Sequence, residues 1–177
     1  MQSDYSFYKP YTLLTYNSAR AISSTSFPVL EEDTLGVIRF VIDTTGGTGT
    51  KAYRFVAVTA GSAAVAAGAP VVYTDAYKTT VDTRYAQSTV NQCAGVGIGA
   101  IAAGNRGWIQ IYGATTLTLG AAVAALQGQP CILDAAKADG TVNIIAVGTA
   151  ITYKPIAWCT AAGTGAGGTV AAFLELL

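Results

Sequence analysis

The segment Ala94–Gly113 constrains the fold of this chain more than any other stretch of its 177 residues. Glycine stands at positions 95, 97 and 99, which leaves one face of an extended segment without side chains and lets another backbone come close. Residues 102–107 combine two glycines with an asparagine, residue types that tolerate positive φ, and predict a chain reversal. Residues 108–112 then predict a strand, with Ile109 and Ile111 on one face and Trp108, Gln110 and Tyr112 on the other.

The face that carries Trp108 has two interpretations at this stage. If Trp108, Gln110 and Tyr112 are exposed, they are a candidate contact surface, because aromatic residues are favoured at protein interfaces. Alternatively, the two aromatic rings fill the inside of a barrel while the two isoleucines face a second layer. Either way, the segment predicts a scaffold element, since its glycines are better explained by close backbone packing than by a bound phosphate.

Strand patterns continue on both sides of this segment. Residues 36–43 and 51–58 alternate around a Gly-Thr loop and predict a hairpin. Residues 68–73 and 128–133 resemble each other, because each has the order Gly-x-Pro before an apolar run, which predicts a tight turn followed by a short buried strand.

Three other segments complete the secondary-structure prediction. The polar, Thr-rich residues 77–91 predict a surface excursion as exposed strand or loop. Residues 120–126 fit one or two helical turns but are too short to decide. The apolar residues 169–177 predict a strand docked into the sheet or against a partner.

Residues 1–35 differ from the rest and predict an extended N-terminal arm, with residues 36–177 as the β-rich domain. Five of the 17 aromatic residues fall within the first 16 positions, without a helical or strand period. These rings either cover an edge of their own core or lie on a neighbouring subunit, where tyrosine is favoured. The candidate interface residues of the arm are Tyr5, Phe7, Tyr8, Tyr11 and Tyr16.

The charge pattern argues against two classes of partner. Hydrophobic residues make up 51% of the chain and charged residues only 11%, against about a quarter charged in an ordinary globular protein. The ten basic residues balance ten acidic ones and form no run, which speaks against nucleic acid. The longest apolar stretch, residues 63–73, is interrupted by Gly68 and Pro70 and predicts no membrane span. The first residues do not resemble a secretory signal, so synthesis in the cytoplasm is the expectation.

The sequence offers little catalytic chemistry. It contains no histidine, and its carboxylates have no paired spacing. The three cysteines, which lack CxxC spacing, are expected to be reduced core residues. Residues 163–168 match GxGxxG formally, but the nine residues after them hold no crossover helix, so a loop is expected. We therefore predict a protein that is not an enzyme and uses no cofactor or metal; around any pocket, the only nominees are Trp108, Tyr112, Asp75 and Asp134.

Residues 60–177 carry a resemblance to a known family. An apolar small-residue strand and an Ala-Gly turn lead into Gly-Trp-Ile-Gln-Ile-Tyr-Gly at 107–113, followed by a Gly-Gln-Pro-led strand at 128 and an apolar end. This order resembles the capsid decoration, or cement, proteins of tailed bacteriophages. The arm has no counterpart in that pattern.

The resemblance implies an all-β fold with little helix, a compact β-barrel or β-tulip-like domain. It further implies a homo-oligomer, most often a trimer, on the exterior of the virion capsid. Its partner there is the major capsid protein, whose adjacent subunits it clamps without turning over a substrate. The alternatives are a phage tail or other virion subunit and, in a different class, a small-ligand-binding module.

Overall fold

The computed structural model describes residues 14–16, 35–43, 49–84, 92–120, 124–133, 140–146, 148–150, 153–163 and 168–176. Within these ranges all regular secondary structure is β-strand, so the predicted all-β fold is confirmed. The division at residue 35 stays a prediction. The strands are β1 (Leu14–Tyr16), β2 (Ile38–Asp43), β3 (Gly49–Val58), β4 (Pro70–Tyr73), β5 (Thr80–Asp82), β6 (Cys93–Gly97), β7 (Arg106–Thr118), β8 (Pro130–Ile132), β9 (Asn143–Ile144), β10 (Ala157–Cys159) and β11 (Thr169–Glu175).

Five of these strands close into a ring. β3 pairs with β5, β5 with β4, β4 with β6 and β6 with β7, and β7 pairs back with β3. All of these pairings are antiparallel except that between β3 and β5. One cluster, the ring core, takes buried side chains from all five strands: Val56, Val71, Val81, Ala94, Ile109 and Ile111. The ring is therefore a small barrel with a filled interior.

The remaining strands extend the barrel in two directions. β2 adds to β3, and β1 adds to β2 in parallel. On the other side, β11 pairs with β7, and β10, β8 and β9 follow outward in that order. A second buried cluster fills the space between these outer strands and the ring, and it includes Leu117, Cys131, Ile156 and Leu174.

The alternating glycines permit the close approach that the sequence predicts. A Cβ atom added at Gly95 would lie 2.6 Å from the carbonyl oxygen of Gln110, and one at Gly97 would lie 2.2 Å from that of Ala66. Both distances are far shorter than van der Waals contact, so these backbones meet only because the side chain is missing. The predicted reversal at 102–107 is confirmed, with Gly104 at a φ of 78°.

Other elements follow the sequence with one correction. The predicted hairpin is the antiparallel pair β2–β3, and the C-terminal strand β11 docks on β7. In both Gly-x-Pro segments the glycine has positive φ and the proline opens a strand, as the prediction requires. Residues 77–91 are not wholly a surface excursion, because β5 lies there and is a member of the ring. Val81 is fully buried in the ring core, but its buried neighbours Asp82 and Thr83 are polar, so a single apolar residue was too short a signal to mark a buried strand.

Candidate functional site

The predicted contact residues on β7 lie mostly inside the protein. Trp108 is fully buried and Gln110 is 4% exposed, so the exposed trio proposed from sequence is wrong at these two positions. Tyr112 is half-buried and meets Phe173 edge-on at 5.2 Å between ring centroids. In the arm, Tyr5, Phe7, Tyr8 and Tyr11 lie outside the described residues, while Tyr16 belongs to the backbone of β1.

Trp108 belongs to a third buried cluster, on the outside of the ring, which we call the β2 cluster. It comprises Val41, Tyr53, Phe55 and Trp108. The Phe55 ring lies 5.1 Å from the indole centroid, and the guanidinium carbon of Arg39 stands 4.8 Å above it, within the range of a cation–π interaction. Because Arg39 and Val41 are both β2 residues, the cluster holds β2 against the barrel.

β7 contains a β-bulge where it pairs with β3. Tyr53 of β3 pairs with Gln110, but the preceding residue Ala52 pairs with Tyr112, so Ile111 is the extra residue. The buried Gln110 amide donates to the carbonyl oxygens of Tyr112 at 3.1 Å and of Ala114 at 2.9 Å. It therefore satisfies backbone acceptors next to the bulge and does not face a partner.

Asp75, one of the residues nominated for a pocket, instead fixes a turn. Its carboxylate accepts hydrogen bonds from the Thr79 hydroxyl at 2.6 Å and from the backbone N–H groups of Thr79 and Thr80 at 3.0 and 2.9 Å. Desolvation raises the pKa of Asp75, but these hydrogen bonds outweigh it and hold the pKa below its ordinary value of 3.8. Asp134, the other nominated carboxylate, lies outside the described residues.

A second carboxylate in the same region is also used structurally. Asp82 is 7% exposed, pairs with Arg84 at 2.9 Å, and accepts the Arg84 backbone N–H at 2.8 Å. Burial raises the pKa of Asp82, but the contacts with Arg84 and the hydrogen bond from Ser62 together lower it further than burial raises it. Neither carboxylate therefore has the raised pKa of a general acid.

These two carboxylates should make stability depend on acid pH. Because their pKa values are lower in the folded protein than in the unfolded chain, their stabilisation is complete above about pH 4 to 5 and is lost as pH falls through the folded pKa values. We expect urea midpoints measured from about pH 6 to about pH 2.5 to decrease, and to decrease less in Asp75→Asn. Thr79→Val removes one hydrogen-bond donor to Asp75, so its midpoint should decrease less than that of the wild type and more than that of Asp75→Asn. Parallel curves for all three proteins would contradict this assignment.

The thiols are structural as well. The Sγ atoms of Cys131 and Cys159 lie 3.4 Å apart in the second cluster, and both residues are buried and unbridged, as the sequence predicts. Burial raises the pKa of all three cysteine thiols, to about 12 at Cys93. Such thiols stay protonated at neutral pH and are poor nucleophiles.

The structure exposes a surface that sequence reasoning missed, around Trp158 on β10. The side chain of Trp158 is 41% exposed, whereas its strand neighbours Ala157 and Cys159 are buried. It borders a cleft of about 240 Å³, the Trp158 cleft, between the turn before β8 and the chain after β9. The signal in the sequence was a tryptophan between two small residues on a short strand, which places the large ring outward when the small residues face the core. The cleft is lined by Gln127, Gly128, Gln129, Pro130, Ile145, Ala146, Gly148, Thr149 and Trp158.

The second surface is the sheet edge at β1. Residues 14–16 pair in parallel with residues 41–43 of β2, so part of the predicted arm is the outermost strand of the sheet. This pairing is three residues long. A pairing this short contributes few backbone hydrogen bonds, and its outer edge faces away from the barrel.

No group of three or more His, Cys, Asp or Glu side chains that would suit a metal ion occurs among the residues that the structure describes. Within the same ranges, the chain forms no helix with the length and hydrophobicity needed to cross a membrane.

No protein-family model matches the sequence, and no curated protein matches it. Among solved structures, the chain is similar to the N base of the head fiber gp8.5 of bacteriophage phi29. The two share 13% sequence identity with a TM-score of 0.48, and the match covers 70% of this chain and 92% of that one. A likeness at this level assigns no function to the chain.

Proposed function

We propose that this chain is a non-enzymatic structural protein of a phage virion. It binds the outer surface of an icosahedral capsid as a homo-oligomer, most simply a trimer, and stabilises the shell by clamping adjacent subunits of the major capsid protein. The observation that carries the proposal is the way the N-terminal segment meets the barrel, as a three-residue parallel strand at the sheet edge. The resemblance of residues 60–177 to decoration proteins gives the class of partner.

An edge strand is a general site for joining one chain to another. Its backbone N–H and C=O groups bind any extended segment of matching register, whichever chain supplies it. Residues 17–37 connect β1 to β2. This connection is long enough for β1 to reach the same edge of a neighbouring copy. The short β1–β2 pairing is therefore suited to exchange, and the arm beyond it to contact with a capsid.

The barrel itself suits a role in assembly. A surface with few charges packs against protein without a large desolvation cost, and only 11% of this chain is charged. Four groups with catalytic potential have structural tasks instead: Asp75 and Asp82 fix turns, and the thiols of Cys131 and Cys159 are buried. This leaves the arm and the exposed faces as the proposed binding surfaces.

Removing the aromatic rings of the arm tests this proposal. We expect the full-length variant with serine at positions 5, 7, 8 and 11 to bind expanded capsids at least about tenfold more weakly in co-sedimentation, because buried aromatic anchors carry most interface energy. Its urea midpoint should be unchanged, since the barrel is held by its own clusters. The matched control is Tyr77→Ser, which removes an 87% exposed tyrosine outside the arm and should bind normally.

Three outcomes would contradict the proposal. Unchanged capsid binding by the four-serine variant removes the role of the arm. If the wild-type chain bound purified tails and not heads, the protein would belong to another part of the virion. Light scattering on the wild-type chain gives the oligomeric state, and a monomer that stays monomeric on capsids would overturn the homo-oligomer.

A further inference from the structure

We propose that the Trp158 cleft is a binding site for a neutral saccharide, with one sugar ring stacked on the indole of Trp158. This site is separate from the edge strand and the arm, and it adds a ligand to the function proposed above. The inference rests on the exposure of Trp158, the size of the cleft and the chemistry of its lining.

Trp158 is a flat surface presented from a fixed backbone. Its strand β10 pairs on one side with β11, where Phe173 is opposite, and on the other with β8, where Pro130 is opposite. Ala157 and Cys159 anchor the strand in the second cluster. The face of an indole carries negative partial charge, and the C–H bonds on one face of a pyranose ring carry positive partial charge, so the two surfaces attract when they stack.

The size of the cleft fits a single ring. Its volume is about 240 Å³, just below the roughly 300 to 1,000 Å³ of sites that enclose drug-sized ligands. A longer oligosaccharide would therefore place one unit in the cleft and leave its neighbours in solvent. A folded protein partner would need a broader surface than this concavity offers.

The polar side chains of the cleft are neutral, and each either is available to a ligand or holds the turn of the cleft in place. The side chains of Gln127 and Thr149 have no hydrogen-bond partner among the described residues, which leaves an amide and a hydroxyl for the hydroxyl groups of a sugar. The Gln129 side chain is used differently, because its Oε1 accepts the Leu126 N–H at 2.8 Å. That bond and the Gly128 N–H donated to Cys159 at 2.8 Å fix the turn that carries Gln127.

The absence of charge from the lining selects the class of ligand. No acidic or basic residue is among the nine that line the cleft. A phosphate, nucleotide or carboxylate ligand would lose its hydration without gaining a counter-charge. A neutral saccharide loses less hydration free energy than a charged ligand when it enters the cleft. Hydrogen bonds from its hydroxyl groups compensate for that loss, while its apolar face covers Trp158.

The test is saturation-transfer NMR with cellotetraose and triacetylchitotriose, two neutral β-linked probes, on the full-length protein. We expect at least one of the two probes to bind with a Kd of about 1 mM. Trp158→Ala should weaken it at least about tenfold, and Trp158→Phe, which keeps an aromatic face, should weaken it less. In the wild type, the same probe should protect tryptophan fluorescence from acrylamide, because Trp158 is exposed and Trp108 is fully buried.

The outcomes separate this site from the proposed capsid role. Capsid co-sedimentation of Trp158→Ala should equal that of the wild type. Failure of both probes to bind at about 10 mM, or equal binding by folded Trp158→Ala, would overturn the saccharide site. Loss of capsid binding in Trp158→Ala without saccharide binding by the wild type would show that Trp158 contacts protein instead.

Discussion

Gly97→Ala is expected to lower the free energy of unfolding by about 3 kcal/mol, at the upper end of the range for overpacked interiors. The added methyl carbon would lie 2.2 Å from the carbonyl oxygen of Ala66 and 2.6 Å from Cγ1 of Val65. These backbones have little freedom to separate. Gly97 donates its N–H to Ala69 at 2.9 Å and accepts the N–H of Gly68 at the same distance.

The measurement is urea denaturation, read as a change in midpoint at constant slope. Gly61→Ala is the matched control, because its added methyl would meet only an Arg84 side-chain nitrogen at 3.7 Å. We expect that control to stay within about 0.5 kcal/mol of the wild type. If Gly97→Ala were as stable as Gly61→Ala, the close packing of the 65–69 segment on β6 would be wrong.

Trp108→Ala is expected to cost about 3 to 5 kcal/mol, the usual range for removing a buried tryptophan or phenylalanine. The substitution empties the centre of the β2 cluster and removes the ring beneath Arg39. Because that cluster holds β2, and β2 carries β1, the damage should extend to the outer sheet edge. We therefore expect hydrogen exchange in residues 38–43 to accelerate more than in the ring strand β4.

The second tryptophan supplies the control for this prediction. Trp158→Ala removes the same side chain from a 41% exposed position and should cost about 1 kcal/mol, well below the cost at Trp108. Thermal or urea unfolding of the two variants side by side makes the comparison. Equal destabilisation would contradict the burial of Trp108, and a stable Trp108→Ala would reopen the interpretation of its face as a contact surface.

Local patterns were enough to predict much of the barrel. The hairpin β2–β3 and the two proline-led strands were found because alternation and turn residues act over a few positions. The close approach at Gly95 and Gly97 was also predictable, since alternating glycine has few other uses in a strand. Ile109 and Ile111 were correctly placed on one face, but that face lines the ring core and not a second layer.

The features that the sequence did not predict depend on contacts between residues far apart in the chain. Alternation divides a strand into two faces but does not say which neighbours cover them, so the β2 cluster over Trp108 was not predictable from β7 alone. The bulge at Ile111 arises from register with Ala52 and Tyr53 of β3, which lie far earlier in the chain. The cleft beside Trp158 forms only when the turn at 127–129 and residues 145–149 meet around β10. Surface sites built from several segments leave no single pattern in the chain.

The closed ring has a consequence for how the molecule opens. Each of its five strands has a neighbour on both sides, so none can separate without disrupting two ladders at once. Spontaneous fluctuations should therefore be confined to the outermost strands, while the ring exchanges its amide protons only through cooperative global unfolding. If β1 exchanges between copies as proposed above, it can be released and recaptured repeatedly while the ring stays folded.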